Sequence, residues 1–225
     1  LLESPFWSEP NKPFILQKVI DEYKQVSALP IVWYGSFIMM FSFAAIMLSI
    51  INSTYLIIDV MGYSPLSFSI IFILNGLNII VGNYIGIGLR KYFSMSVNIY
   101  IGNACIILGG LCMLITSIYF KFSLYTFAFA LVVNTGMSIS APPTMSTLLT
   151  DFKENTGVVL AIMNSLRMLG STLLSMLVSY LIMDDINALA LGLIATGIAA
   201  LYCSWRFNRL TAGLDSDFDD AQAIA

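Results

Sequence analysis

The chain has 225 residues, of which 58% are hydrophobic and only 10% are charged, whereas soluble proteins carry roughly 25% charged residues. This composition predicts an integral membrane protein, and with 10 basic against 13 acidic residues it argues against a nucleic-acid-binding protein. Because the chain has no histidine and its three cysteines lie in apolar runs, we expect no enzyme, no metal site and no cofactor.

Residues 1–30 precede the first long apolar run and are predicted to form a cytoplasmic segment with one helix on the membrane surface. Such a helix has apolar residues at helical spacing opposite charged ones. The chain opens on Leu1 without an initiator methionine or an apparent signal peptide, so we expect it to begin inside a longer protein. The apolar face of the predicted helix comprises Ile15, Leu16, Val19, Ile20, Tyr23 and Val26.

Six apolar runs of bilayer-spanning length follow, separated by connections of only a few residues. They predict an all-α polytopic membrane protein with a six-helix transmembrane bundle over residues 31–207, in which consecutive helices are antiparallel. Ser64 can cap the second helix, and Pro65 occupies a tolerated position in its first turn. The predicted spans are residues 31–60, 65–89, 94–120, 123–149, 156–182 and 186–207.

Lysine and arginine are distributed unequally between the two sides of these spans. Cytoplasmic flanks of membrane proteins retain positive charge, so the more basic side is predicted to be cytoplasmic. One side has only Lys121, and Arg167 lies within a span. Both termini, including an acidic tail over residues 208–225, are therefore predicted to be cytoplasmic. Their side carries Lys12, Lys18, Lys24, Arg90, Lys91, Lys153, Arg206 and Arg209.

Polar residues recur along one face of the first and second spans. In the first span Asn52 belongs to a stripe of small and polar residues, and Asp59 lies near the outer end, where a carboxylate reaches water. In the second span Asn75 and Asn78 precede two glycines spaced as GxxxG, which is typical of close helix packing. For the asparagines, substrate contact and packing are both open interpretations.

The fourth span contains Asn134 and then the pair Pro142-Pro143. Proline removes an amide donor, so the pair is expected to kink or interrupt the helix. In transporters such interruptions expose backbone carbonyls to a central cavity, whereas a simple packing kink is relieved by neighbouring helices. Under either interpretation this helix is predicted to face inward.

Arg167 lies inside the fifth span, about 11 residues from its start and so roughly 16 Å deep in a ~30 Å hydrocarbon core. A charge there costs upward of ~2.5 kcal/mol, which favours a bundle interior or an aqueous cavity. Asn164, Ser171 and Ser175 share its helical face. The pattern favours a substrate pathway in which Arg167 binds an anionic group or a carbonyl; the alternative is snorkelling or a structural hydrogen bond.

The second and fifth spans contain similar tetrapeptides, Asn-Gly-Leu-Asn over residues 75–78 and Asn-Ser-Leu-Arg over residues 164–167. These spans are the middle members of two successive three-helix units. Because three is odd, the two units would have inverted topology, as in the nested 3+3 repeats of secondary transporters. The pattern therefore predicts an internal inverted repeat.

Short motifs that together resemble one transporter family are spread along nearly the whole chain. They are Leu2-Glu3-Ser4-Pro5 with Lys12-Pro13, Tyr63-Ser64-Pro65 with Phe68 and residues 72–78, Ala141-Pro142-Pro143-Thr144-Met145, and Thr156-Gly157 with Asn164-Ser165-Leu166. Through them the chain resembles the second half of a major facilitator superfamily transporter of the Bcr/CflA-type drug-resistance branch. Its basic loop, Arg90 and Lys91, resembles the glycine-containing loop of the superfamily but lacks the acidic partner.

The resemblance implies one half of a twelve-helix fold in which two six-helix halves rock around a central cavity. It implies a multidrug or small-molecule efflux carrier that is driven by proton antiport in a bacterial inner (plasma) membrane. The implied partners are membrane lipid, a small-molecule substrate and the N-terminal six-helix half, without nucleic acid. The first, second, fourth and fifth spans would line the cavity or the interface between halves, and the third and sixth would face lipid.

The candidate site combines polar residues of the four inner spans with one of the paired prolines. Arg90 and Lys91 form a candidate cytoplasmic loop, and no residue is assigned to catalysis or to a metal. The alternatives to a carrier half are a self-standing six-helix scaffold or regulatory protein and a non-functional transporter fragment. The substrate-pathway candidates are Asn52, Asn75, Asn78, Asn134, Pro142, Asn164, Arg167 and Ser171.

Overall fold

The computed structural model describes residues 16–120, 124–152, 155–181 and 186–223, and all regular structure within these ranges is helical. The all-α prediction is therefore confirmed. Two of the seven helices contain a π-helical turn, α2 at Leu56–Val60 and α6 at Leu166–Gly170. The helices are α1 Leu16–Ser27, α2 Pro30–Val60, α3 Pro65–Leu89, α4 Met95–Phe120, α5 Leu124–Asp151, α6 from Thr156 to Leu181, and α7 Ile186–Ala223.

The starts of α2 and α3 follow directly from the sequence. Pro30 opens α2 and Pro65 opens α3, positions at which a first helical turn does not need the missing amide. Ser64 caps α3, because its hydroxyl oxygen accepts the backbone N–H of Ser67 at 3.2 Å. Gly62 has a φ of 71°, a left-handed conformation that glycine adopts without a Cβ clash. The predicted start of the second span is confirmed.

The two ends of the chain differ from the predicted boundaries. A helix, α1, is present where one was predicted and begins at Leu16, while residues 1–15 lie outside the described ranges. Its position on the membrane surface stays a prediction. Val26 is buried at the end of α1, and a 4.0 Å ion pair joins Lys18 and Glu22 on its charged face. At the other end the backbone of α7 is helical to Ala223, past the predicted end of the span, because no proline interrupts it.

Five helices are long and apolar enough to cross a membrane, counted over the described residues. They correspond to the first, second, third, fifth and sixth predicted spans, so the prediction of a multi-pass membrane protein is confirmed. The fourth predicted span is α5, a helix of 28 residues whose membrane crossing stays a prediction. The five are Pro30–Val60, Pro65–Leu89, Met95–Tyr119, Thr156–Tyr180 and Asn187–Ala212.

Four helices, α2, α4, α5 and α7, form the centre of the bundle. α4 packs against α5 and α7, and α2 packs against the same two helices. α3 packs on α5 and α6 packs on α2, while α3 and α6 share no extended contact along the parts described. The helices α2, α3 and α4 therefore make the same kinds of contact as α5, α6 and α7, respectively: exchanging the two sets of labels gives the same list of packed pairs.

A buried polar cluster lies between two apolar clusters in the core. Ser42 of α2 donates a hydrogen bond to Oδ1 of Asn103 in α4 at 3.0 Å, and Nδ2 of Asn103 donates to Ser204 in α7 at 2.7 Å. These three side chains are almost fully buried, so they join three central helices away from water. The largest members of the flanking apolar clusters include Ile38, Met163 and Phe207 on one side and Leu48, Met113 and Leu193 on the other.

Candidate functional site

The first group of predicted pathway residues lies between α3 and α5, in what we term the α3–α5 seam. Nδ2 of Asn134 donates to Oδ1 of Asn75 at 2.7 Å. Nδ2 of Asn78 donates to the backbone oxygen of Leu131 at 2.7 Å and to the hydroxyl of Thr135 at 3.1 Å. The structure therefore brings Asn75, Asn78 and Asn134 together. Oδ1 of Asn134 is buried and has no hydrogen-bond partner in the part of the chain that the structure describes.

Small residues hold the two helices of this seam close together. A Cβ atom added to Gly82 would lie 2.9 Å from Cβ of Ser138 and 3.2 Å from Cα of Thr135. One turn further along, Gly86 faces the backbone of Ile139. The two glycines spaced as GxxxG therefore serve helix packing, as their spacing predicts.

Pro142 and Pro143 lie inside α5 without interrupting it. Of the two expected outcomes, interruption is therefore wrong, and a kink stays a prediction. α5 packs against α2, α3 and α4, and neighbouring helices allow a membrane helix to continue through proline. Side-chain hydroxyls bind carbonyls nearby, since Thr144 donates to the backbone oxygen of Ser140 at 2.8 Å. Pro142 is half-buried, and an opening from its turn to a cavity stays a prediction.

The second group of predicted residues lies between α2 and α6, in the α2–α6 seam. Nδ2 of Asn52 donates to the hydroxyl of Ser179 at 2.9 Å. One turn away, Ser175 donates to the backbone oxygen of Ala44 at 3.1 Å and is fully buried. Ser175 of the polar face predicted for the fifth span therefore lies against α2.

Arg167 lies in the same seam, in the π-helical turn of α6. Its guanidinium carbon is 5.3 Å from the centre of the Phe43 ring in α2, and its Nε is buried without a hydrogen-bond partner among the residues described. Ser171 is fully buried, and its hydroxyl donates to the backbone oxygens of Arg167 and Met168. Ser171 therefore supports the backbone beneath Arg167. Asn164, one turn earlier, is half-buried.

The two seams lie beside the least buried helices of the bundle. Only 11% of the most apolar stretch of α3 and 22% of that of α6 is buried, against 56% in α2. α2 and α5 contact each other and form a central pair, which α3 and α6 flank. α5 forms one side of the α3–α5 seam, and α2 forms one side of the α2–α6 seam. The pathway candidates thus form two separate groups, one on each side of the α2–α5 pair.

The candidate loop residues Arg90 and Lys91 end α3. The backbone N–H and the Nε of Arg90 both donate to the backbone oxygen of Gly86 at 3.2 Å, which satisfies a carbonyl at the helix end. Lys91 is exposed, and neither residue has an acidic partner among the described side chains. Within the same ranges no cluster of cysteine, aspartate and glutamate could hold a metal ion.

The structure adds residues to both seams that the sequence analysis does not select. Thr135 and Ser179 provide the hydroxyl partners of Asn78 and Asn52, and Phe43 lies under Arg167. Hydroxyl residues are common in membrane helices, so only their hydrogen bonds to a neighbouring helix identify Thr135 and Ser179 as members of the seams.

A family model described as Major Facilitator Superfamily matches residues 1–175 of the chain. The matched region contains α1 to α5 and the part of α6 that carries Arg167, and thus most of both seams. No curated protein sequence matches the chain at a significant level. The family consists of membrane transporters and not of enzymes. The match covers well over half of the residues of the chain. The chain therefore belongs to the Major Facilitator Superfamily.

Proposed function

We propose that this chain is the second six-helix half of a secondary transporter that works by alternating access. Six spans, with α5 as the fourth, divide into the units α2–α3–α4 and α5–α6–α7. The packing pattern is unchanged when these units are exchanged, which supports a 3+3 repeat. Short connections favour antiparallel neighbours, so the second unit would be inverted relative to the first.

One observation carries this proposal: two polar seams lie beside apolar helices, α3 and α6, that the other described residues leave uncovered. The uncovered side chains of α3 and α6 are large and apolar, which is typical of a surface that lipid or another protein covers. We place the N-terminal half against α3 and α6, with the cavity over the α2–α5 pair. The uncovered side chains include Leu66, Ile73, Leu77 and Tyr84 of α3 and Leu169, Leu173, Met176 and Tyr180 of α6.

The proposed activity is efflux of drugs or other small molecules in exchange for protons, as in the Bcr/CflA-type branch. Asp59 is exposed near the end of α2, and no acidic residue lies deep in the described spans. The carboxylate that carries protons would therefore belong to the N-terminal half. The proposed location is a bacterial inner membrane with both termini in the cytoplasm, where Arg90 and Lys91 would lie.

Transport in proteoliposomes tests this proposal. The chain is reconstituted with the N-terminal half, and uptake of a panel of fluorescent anionic, neutral and cationic compounds is followed with and without an imposed pH gradient. We expect at least one compound to accumulate only when the gradient is present. Absence of transport for the whole panel, with both halves assembled, would instead favour a scaffold protein or a non-functional fragment.

A further inference from the structure

Arg167 is a cation in the α2–α6 seam, and its guanidinium has no charged partner among the described residues. Its Nε is buried without a hydrogen-bond partner, and no ion pair reaches it from any described residue. A guanidinium has five N–H donors and no acceptor, so the face of Phe43 satisfies none of them as a hydrogen bond. The Nε–H of Arg167 is thus a buried donor without a partner among the described residues.

The nearest acidic residue on the facing helix is too far away to neutralise this charge. Phe43 marks the level of Arg167 on α2, and Asp59 lies further along the same helix and is exposed. At 1.5 Å per residue the separation along the axis is roughly 24 Å. An isolated charge inside a membrane is unfavourable, and a bound counter-anion would offset that cost.

The backbone around Arg167 is held in place by contacts that do not use the guanidinium. Ser171 donates to the carbonyl of Arg167, inside the π-helical turn Leu166–Gly170. At the end of this turn a Cβ on Gly170 would lie 2.5 Å from the sulfur of Met40, so α6 packs directly on α2 there. π-helical turns within α-helices are frequent at functional sites, and this one positions Arg167 before any ligand arrives.

We propose that Arg167 and Phe43 form an anion-binding site and that the transported substrates are organic anions with an aromatic or other apolar body. This inference rests on the proposed function, because it places the site in the cavity of a carrier. A carboxylate, sulfonate or phosphate offers paired oxygens that match the fork of a guanidinium. Phe43 and Met40 provide apolar contacts beside it for the body of the substrate.

A matched pair of probes tests the charge requirement directly. Binding of 1-naphthalenesulfonate and of its neutral counterpart 1-naphthalenesulfonamide is measured by calorimetry on the carrier assembled with its N-terminal half in lipid nanodiscs. We expect the sulfonate to bind at least about tenfold more tightly, because hydrogen bonds between charged groups are stronger than neutral ones. In Arg167→Gln this preference should disappear, and Arg167→Lys should keep part of it.

Arg209→Gln is the control, because Arg209 also lies over an aromatic ring, 4.1 Å from the centre of Trp205, but outside the seam. It should leave the preference unchanged, and gel filtration shows whether each variant is folded. Equal affinity for the two probes in the unaltered protein, or a preference that survives in Arg167→Gln, would overturn the inference. Transport of neutral or cationic compounds in the panel would still support the proposed function. Failure of the anion-binding inference is therefore distinguishable from failure of the proposed transport function.

Discussion

At the scale of single residues, two buried asparagine side chains of this bundle differ in how many of their amide atoms form hydrogen bonds. Asn103 donates to α7 and accepts from α2, so both ends of its amide group are paired inside the protein. Asn134 donates to Asn75 but leaves its Oδ1 buried without a partner. A paired amide fixes neighbouring helices, whereas an unpaired buried oxygen can accept a hydrogen bond from water or a ligand. Asn103 is therefore a structural residue, and Asn134 belongs to the candidate site.

The structural role of Asn103 predicts a loss of stability in Asn103→Ala. The substitution removes two buried hydrogen bonds and leaves the hydroxyl of Ser42 without its acceptor. We expect a decrease of about 1–3 kcal/mol in the free energy of unfolding, measured by reversible unfolding in mixed detergent micelles. Asn83→Ala is the control, because Asn83 is exposed and bonds only to its own helix. Equal effects of the two substitutions would contradict this role.

At the scale of elements, the contact between α4 and α5 depends on glycine. A Cβ on Gly102 would lie 2.5 Å from the backbone oxygen of Gly136, and a Cβ on Gly136 would lie 2.5 Å from the backbone oxygen of Gly102. Backbone atoms cannot move aside as the end of a flexible side chain can. The two helices can therefore approach this closely only where both residues lack a side chain.

Of two glycine substitutions, only the one in this contact should lower stability. Gly102→Ala forces α4 away from α5, so we expect a loss of about 1–3 kcal/mol in the free energy of unfolding. Gly76→Ala meets no atom within 4 Å, so stability should be unchanged or higher by up to about 1 kcal/mol through helix propensity. The measurement is again unfolding in mixed micelles. A tolerated Gly102→Ala would show that the helices separate more easily than their packing indicates.

The helices were largely predictable from the sequence, but the partners of the polar residues were not. Residues 65–89 are predicted as a span and are observed as α3, because a membrane helix needs a long apolar run and proline marks its start. Asn103 lies in a span that the resemblance places towards lipid, so no local pattern indicates its contacts with α2 and α7. The π-helical turn at Arg167 likewise depends on packing against α2, which the order of residues alone does not determine.

At the scale of the whole molecule, two kinds of exposed apolar surface need different explanations. α4 and α7 bury one face in the centre of the bundle and expose the other, as expected of helices that face lipid. α3 and α6 are less buried, at 11% and 22% of their most apolar stretches against 33% in α4 and 50% in α7, and they lie beside the polar seams. In the proposed carrier a second half covers α3 and α6, and the polar residues of the seams line the space between the halves.

The central claim is that the seams border water inside the membrane, and thiol labelling tests it most directly. A cysteine replaces either Asn164, beside Arg167, or Leu108, on the exposed face of α4, in the assembled carrier whose Cys105, Cys112 and Cys203 are changed to alanine. A membrane-impermeant maleimide needs a hydrated thiolate. We predict labelling of Asn164→Cys and no labelling of Leu108→Cys. Labelling of Leu108→Cys alone, or of neither variant, would contradict the account.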